Sequence, residues 1–261
     1  MNILIGDIGN TVTKICLVGS KNLNLKKVIY FNTNTISSKY LLKKNLKKII
    51  KNKSINKVAL FSSVVPKYQL ILKKFLKSVY KIKLREIKEK TINKIVKINI
   101  KNKKQVGSDR IANAVGVYKK YKTNCIVLDF GTATTFDVVT KNGIYNGGVI
   151  APGVNLSMQS LSNSADQIPM FSIKKQKKII GKNTIEALRS GFYWGYSGLI
   201  NNIILKIEKE TKKKYKVVFT GGYAHLFKTS INRSFTIDKN ITINGIIEIF
   251  KENKKILRLN E

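Results

Sequence analysis

Ile126-Val127-Leu128-Asp129-Phe130-Gly131-Thr132-Ala133-Thr134-Thr135 is the stretch that decides the fold of this chain. It begins as a short apolar run rich in β-branched residues, which predicts a buried strand. The run stops at an acid, Asp129, and turns on Gly131, where no side chain blocks a close ligand. Thr132, Thr134 and Thr135 then supply hydroxyls, and the turn supplies backbone N–H groups, the donors a polyanion requires. A second apolar segment, Phe136 to Val139, completes a strand-turn-strand unit.

The same design stands near the N-terminus as Ile3-Leu4-Ile5-Gly6-Asp7-Ile8-Gly9-Asn10-Thr11, followed by Thr13 to Val18. One Asp-x-Gly turn alone is ordinary hairpin chemistry. Two in matching context read as an internal repeat, two like-folded halves facing each other with a nucleotide between them. A third glycine turn, Thr220-Gly221-Gly222, ends the apolar run Tyr215 to Phe219.

Residues 2 to 31 read as three antiparallel strands. Leu41, Leu42, Leu46, Ile49 and Ile50 fall on one helical face of residues 38 to 51, with the lysines turned to water. A strand follows at 57 to 61, Pro66 opens a second helix where its missing N–H costs nothing, and 84 to 87 gives one more strand. The order βββαβαβ is that of an α/β half-molecule. Lysine-rich residues 91 to 104 read as strand and loop leading to Gly107-Ser108-Asp109-Arg110, and a helix over 111 to 121 could take its cap from Ser108 or Asp109. In the second half, Gly147-Gly148 and Pro152-Gly153 let the main chain pass close to something bulky. A short helix to Leu161 follows. Asn183-Thr184-Ile185-Glu186 resembles a capping box at the head of a long helix, and Ile241 to Phe250 closes the chain as another. The expected division is a first domain over 1 to 118 and a second over 119 to 261, with the last helix free to pack back on the first.

At 261 residues and 43% hydrophobic, the chain can build one large or two small domains of a globular protein. No run approaches the roughly 18 apolar residues of a membrane span, and the chain opens directly on a strand. A cytoplasmic protein without a membrane partner is therefore expected. Cys16 and Cys125 fall in predicted strands without metal or redox spacing, as buried reduced thiols would. The net charge of +36 attracts any polyanion. Yet only five of the 50 basic residues are Arg, at 85, 110, 189, 233 and 258. Lys, Asn and Ile, whose codons are rich in A and T, are heavily used throughout, so nucleotide bias accounts for the lysines as well as function does. Scattered lysines without the arginine fork argue against a specific nucleic-acid partner.

Moving a phosphoryl group requires mainly positioning and charge balance. One or two carboxylates can hold Mg²⁺ through phosphates and water. The chain offers such acids and has no G-x-x-x-x-G-K-[ST], so it is not a P-loop protein.

The two Asp-x-Gly turns resemble the phosphate motifs of the actin-like ATPase superfamily, which includes acetate and sugar kinases. More closely, Asp7-Ile8-Gly9-Asn10-Thr11, Gly107-Ser108-Asp109-Arg110, Asp129-Phe130-Gly131-Thr132-Ala133-Thr134, Gly147-Gly148 with Pro152-Gly153, Gly181-Lys182-Asn183-Thr184 and Thr220-Gly221-Gly222 are together similar to the motifs of type III pantothenate kinases, in that family's order. The resemblance implies an α/β fold of two actin-like, ribonuclease H-like domains, with mixed sheets flanked by helices and duplicated halves around a nucleotide cleft. It implies ATP-dependent phosphorylation of pantothenate to 4′-phosphopantothenate, the first step toward coenzyme A.

Carried over residue by residue, Asp109 matches the general base. Gly107, Ser108 and Arg110 match substrate-contacting positions, and Thr184 matches a residue that reaches substrate across a dimer interface, which implies a homodimer. Asp7 matches the Mg²⁺-side acid, with Gly9, Asn10 and Thr11 at the phosphates. Gly131, Thr132 and Thr134 match the second phosphate loop, and Gly221 and Gly222 the adenosine side. Asp129 matches the acid that holds K⁺ or NH₄⁺. The acids at 7, 109 and 129 are expected to converge. Ile100 and Lys103 stand where the family usually has Tyr and Pro, and Tyr223 where it often has an acid. His225, the single histidine, reads as a loop or helix residue. The competing readings are another actin-like small-molecule kinase or phosphohydrolase, and a non-catalytic nucleic-acid-binding relative that kept the fold.

Overall fold

Strand β1 (Asn2–Ile8) is buried almost throughout and forms the spine of the first sheet. It pairs antiparallel with β2 (Val12–Gly19), which pairs antiparallel with β3 (Leu25–Asn32). On its other side it pairs parallel with β4 (Val58–Ser63), and β4 with β5 (Lys83–Glu86). The parallel connections need crossovers, and helices supply them. Helix α1 (Lys39–Ile50) starts where the Ser38 hydroxyl accepts the Leu41 N–H, and α2 (Pro66–Tyr80) starts on its proline. Leu42, Leu46 and Ile49 of α1 and Leu72, Phe75 and Leu76 of α2 bury against Leu4, Ile15, Phe61 and Leu84 of the sheet. The computed structural model describes residues 1–51 and 53–258.

After a two-residue strand, β6 (Lys97–Ile98), helix α3 (Ser108–Tyr121) leads out of the first sheet's unit. The next unit repeats the plan. Strand β7 (Cys125–Phe130) pairs antiparallel with β8 (Ala133–Val139), and β8 with β9 (Ile144–Pro152). On its other side β7 pairs parallel with β10 (Lys216–Gly221), and β10 with β11 (Phe235–Ile237). The order β3-β2-β1-β4-β5 thus recurs as β9-β8-β7-β10-β11, with the same strand directions. Helices α4 (Val154–Ser164) and α5 (Thr184–Thr211) fill the crossover from β9 to β10. Phe130, Phe136, Tyr193, Ile200, Phe219 and Phe227 form its core.

By packing, residues 1–120 and the chain from Asn240 onward form one compact unit, and Tyr121–Lys239 the other. Helix α6 (Ile241–Glu252) lies on β1 and β4, and a short α7 (Lys254–Arg258) follows. Its approach to α3 is close: a Cβ on Gly245 would lie 1.8 Å from the Ala112 carbonyl oxygen, and one on Gly116 2.4 Å from that of Ile241.

Two local expectations change. Gly147 and Gly148 lie inside the nine-residue β9, where no strand was expected. Gly147 has φ 91°, and the β8–β9 register shifts between Asp137 and Val139, so the glycines serve an irregularity in the ladder. Helix α3 begins at Ser108 rather than Ile111, which places Ser108 and Asp109 in its first turn. Cys16 and Cys125 are buried free thiols, and burial pushes both up to about 12. Among the described residues, no helix is long and apolar enough to cross a membrane.

Gly245→Ala should force α3 and α6 apart. Overpacking of this kind costs about 1–3 kcal/mol. Circular-dichroism melting should show a Tm lowered by several degrees, and an unchanged Tm would mean the helices can separate at no cost.

Candidate active site

In the first unit β1 delivers Asp7 to the mouth of a glycine turn. The antiparallel register sets Asp7 opposite Lys14, and the parallel register sets it opposite Ser62. The Ser62 hydroxyl donates to Asp7 Oδ1. The turn closes where the Gly9 N–H donates to the Val12 carbonyl at 3.2 Å. Thr33 braces it from beneath, its N–H on the Thr11 carbonyl at 2.9 Å and its hydroxyl on the Gly9 carbonyl at 2.8 Å. Asn10 and Thr11 are left exposed at the tip.

One residue beyond Ser62 the same strand end reaches a second motif. The Ser63 N–H donates to Ser108 Oγ at 2.7 Å, and that hydroxyl donates back to the Ser63 carbonyl at 2.7 Å. Ser108 is buried, so its side chain ties the head of α3 to β4 instead of capping the helix. Asp109 follows. Its Oδ1 accepts the Arg110 N–H at 2.8 Å and lies 2.4 Å from where a Cβ on Gly107 would stand. Only glycine at 107 leaves that carboxylate room to fold over the turn. Burial raises the pKa of Asp109 above the ordinary carboxylate range, opposed in part by the N–H and charge of Arg110 and the charge of Lys88. Asp7 and Asp109 are thus linked through Ser62, Ser63 and Ser108. The sequence reading passed over Ser62 and Ser63. Their signal was a pair of hydroxyls closing an apolar strand.

In the second unit β7 delivers Asp129, in register with Thr220 on one side and Thr135 on the other. The Gly131 N–H donates to the Ala133 carbonyl at 3.1 Å, and Gly131 and Thr132 are exposed. Gly221 has φ 85°, and a Cβ there would lie 2.6 Å from the backbone of Phe130 and 2.7 Å from Asp129 Oδ1. The Gly222 N–H donates to the Phe130 carbonyl at 3.1 Å. A Cβ on Gly153 would lie 2.1 Å from the Thr132 carbonyl oxygen. Asp129, Gly131, Thr132, Gly153, Gly221 and Gly222 therefore form one locus of crossing glycine turns. Beneath it the buried hydroxyls of Thr134 and Thr135 have no hydrogen-bond partner among the described residues. Tyr223 turns away to donate to Asn155 Oδ1 at 3.1 Å, and His225 is exposed before a single helical turn.

Thr184 is the first residue of α5. Asn183 caps that helix by accepting the Glu186 N–H at 2.9 Å, while the Glu186 carboxylate accepts the Lys182 N–H at 2.9 Å. Thr184 lines an open groove of about 620 Å³ with Pro152, Leu161, Leu188, Phe192 and Tyr196. The groove begins one residue from Gly153, so it adjoins the back of the second glycine turn.

The fold thus repeats one plan, an acid at a strand end beside a glycine turn, in two α/β units of the same strand order, and the first unit adds a buried carboxylate at a helix head, an arrangement that suits phosphoryl transfer. Residues 3–206 match the family described as type III pantothenate kinase. The type III pantothenate kinase of Pelagibacter ubique is 55% identical over 245 residues, which cover 94% of this chain and 97% of that protein. That of Paramagnetospirillum magneticum is 36% identical over 200 residues, 77% of each chain. Among solved structures, the activator of the 2-hydroxyisocaproyl-CoA dehydratase from Clostridium difficile, with bound ADPNP, aligns over 100% of this chain and 98% of its own. Its TM-score is 0.58 and its sequence identity 12%, a likeness of fold alone. The chain belongs to the type III pantothenate kinase family. It is accordingly a kinase and uses ATP.

Gly221→Ala should displace the third turn from Asp129 and Phe130, since the added methyl meets backbone and the φ is unfavourable for any L side chain. Calorimetry with a non-hydrolysable ATP analogue should show at least tenfold weaker binding, and an unchanged affinity would mean that the turn absorbs the methyl without moving.

Proposed function

We propose that this enzyme transfers the γ-phosphoryl group of ATP to the primary hydroxyl of pantothenate, giving 4′-phosphopantothenate and ADP, with Asp109 as the general base. The observation that carries this reading is the placement of Asp109. Its carboxylate is buried at the head of α3, oriented by the Arg110 N–H and anchored to the end of β4 through Ser108. Burial raises its proton affinity, which favours a base that must accept a proton as the substrate oxygen attacks phosphorus. The proton passes to Asp109, the new P–O bond forms, and the bond to the β-phosphate oxygen breaks. The transition state is loose, so most of the remaining work is positioning.

Gly9, Asn10 and Thr11 would hold phosphate oxygens at the first turn, and Gly131, Thr132 and Thr134 at the second. Gly221 and Gly222 would lie against the adenosine. Gly107, Ser108 and Arg110 would take the substrate, Arg110 suiting its carboxylate. The Ser108 hydroxyl is already engaged by Ser63, so it would act through the segment's backbone. Asp7 supplies hard oxygen donors beside the first turn and would carry Mg²⁺ together with the phosphates. Asp129, with its Oδ1 against Gly221, would hold K⁺ or NH₄⁺. These ions supply charge neutralisation at the transferring group. The reading places the enzyme in the cytoplasm, acting on small molecules rather than nucleic acid or membrane.

We further infer a homodimer through α5. Gly191, Gly195 and Gly198 lie at helical spacing, and a Cβ on any of them would meet nothing within 4 Å. Small residues on an open helix face let another backbone approach. Ile179 and Ile180 are exposed just before this helix, Leu156 is exposed on α4, and Thr184 opens α5.

ADP release should depend on pantothenate and run faster in K⁺ or NH₄⁺ than in Na⁺. Asp109→Asn should lower turnover by about 10²–10⁴-fold. The sign for stability is opposite. Because the folded-state pKa of Asp109 is raised, its contribution favours the fold at low pH and is lost as pH rises through that pKa. Asp109→Asn should therefore melt no lower than wild type at neutral pH. On the acid side, kcat/KM should fall as pH drops through the raised value, above the pH expected for an unperturbed aspartate. Near-native turnover in Asp109→Asn would overturn the base assignment.

For assembly, Gly195→Trp should convert a dimer to a monomer in light scattering and reduce turnover with it. A monomer with full activity would refute the dimer.

A further inference from the structure

The carboxylate of Asp109 is positioned by more than its own helix. At the end of β5, Glu86 is buried, with 9% of its surface exposed. Its Oε2 accepts the Lys88 N–H at 2.6 Å, and its own N–H donates to Glu89 Oε1 at 3.0 Å. Arg85 adds a charge-assisted bond to the other oxygen of Glu89. Residues 85 to 89 are thus folded into a polar knot that fixes the Lys88 backbone.

From that knot the Lys88 ammonium reaches across to the loop before α3. It donates to the Lys104 carbonyl at 3.0 Å and to the Val106 carbonyl at 2.8 Å. Val106 is buried and immediately precedes Gly107-Ser108-Asp109. Two carbonyls held by one ammonium fix the direction in which the chain enters the helix head. The Lys88 charge favours the ionised form of both Asp109 and Glu86. The segment carrying the base is therefore clamped on both sides, by Ser63 through Ser108 and by Lys88 through the two carbonyls.

We infer that Lys88, set by the Glu86 knot, is a positioning residue for the phosphoryl-transfer reaction, acting through Asp109 without touching substrate. This rests on the proposed role of Asp109 as the base. A positioning error near 1 Å can cost large factors in rate while leaving binding elsewhere intact. The effect should therefore appear in kcat and not in the KM for ATP.

The test is steady-state kinetics on Lys88→Met, Lys88→Arg, Asp109→Asn and the Lys88→Met/Asp109→Asn double variant, each checked for folding by thermal melting. Lys88→Met should lower kcat about tenfold, with the KM for ATP within about twofold and Tm nearly unchanged. Lys88→Arg, which keeps the charge and the donors, should recover most of the loss. In the Asp109→Asn background the Lys88 change should cost little more, because its effect passes through the missing carboxylate. The inference is overturned if Lys88→Met keeps kcat within twofold of wild type, if its loss follows Tm or the KM for ATP, if Arg fails to restore it, or if the two losses multiply in full. The reading beneath it fails separately: Asp109→Asn with near-native turnover removes the base, whatever Lys88 does.

Discussion

The register of one parallel strand pair in each unit is the constraint on which the chemistry depends. In the first unit it sets Asp7 beside Ser62, and in the second it sets Asp129 beside Thr220. A carboxylate at the end of a buried strand is costly unless hydrogen bonds meet it, and the Ser62 hydroxyl does so for Asp7. A slip of one residue would turn each acid to the opposite face of its sheet. The first pair carries a mechanical lock against such a slip. The Phe61 ring lies 2.2 Å from where a Cβ on Gly6 would stand, so β1 and β4 fit together only with glycine at that level. In the second pair Gly221 plays the corresponding part, crossing Phe130 and Asp129 where a side chain could not.

The repeated strand order makes the differences between the two units informative. In the first, the crossover from β3 to β4 holds α1, whose Leu42, Leu46 and Ile49 are buried while its lysines face water with Tyr40 and Leu41. In the second, the corresponding crossover holds α4 and α5, and α5 leaves three glycines and an apolar groove uncovered. One plan thus yields different crossovers, and the second carries a glycine face and a groove. The first unit also gains an element from the far end of the chain. Gly245 and Gly116 let α6 and α3 meet backbone to backbone, which couples the last helix to the one that carries Asp109.

Much of this was legible in the sequence because it is local. Apolar runs ending in Asp-x-Gly, a Pro at a helix start and the Asn183–Glu186 cap each announce their structure within a few residues. What was hidden depends on distant partners. Gly147 and Gly148 have poor strand propensity, and only pairing with β8 makes them part of β9. Strand β11 spans Phe235–Ile237, too short for any periodicity to register, and exists because β10 offers it an edge. The tie from Ser108 to β4 was not legible, since its partner Ser63 lies 45 residues away. Lys88 stood among so many lysines that composition concealed it. Its distinction is the two carbonyls it finds, which no pattern in residues 83 to 90 foretells.

The buried carboxylate at Asp109 opposes stability at neutral pH, and on the proposed reading the same burial would serve catalysis. Desolvation raises its proton affinity, and an unsupported acid there would simply stay protonated or move toward water. The head of α3 answers with the Arg110 N–H, the Arg110 charge and the positive end of the helix dipole. Those same donors would draw the carboxylate down into the helix if Gly107 and the Ser108 anchor did not hold the turn in place. In the proposed mechanism this leaves a base kept ionisable but short of fully stabilised, the state from which it would take a proton. Such a balance needs geometry fixed from outside the helix. The chain supplies it from β4 through Ser63 and from the end of β5 through the knot at Glu86, so that strand ends hold the segment that carries Asp109.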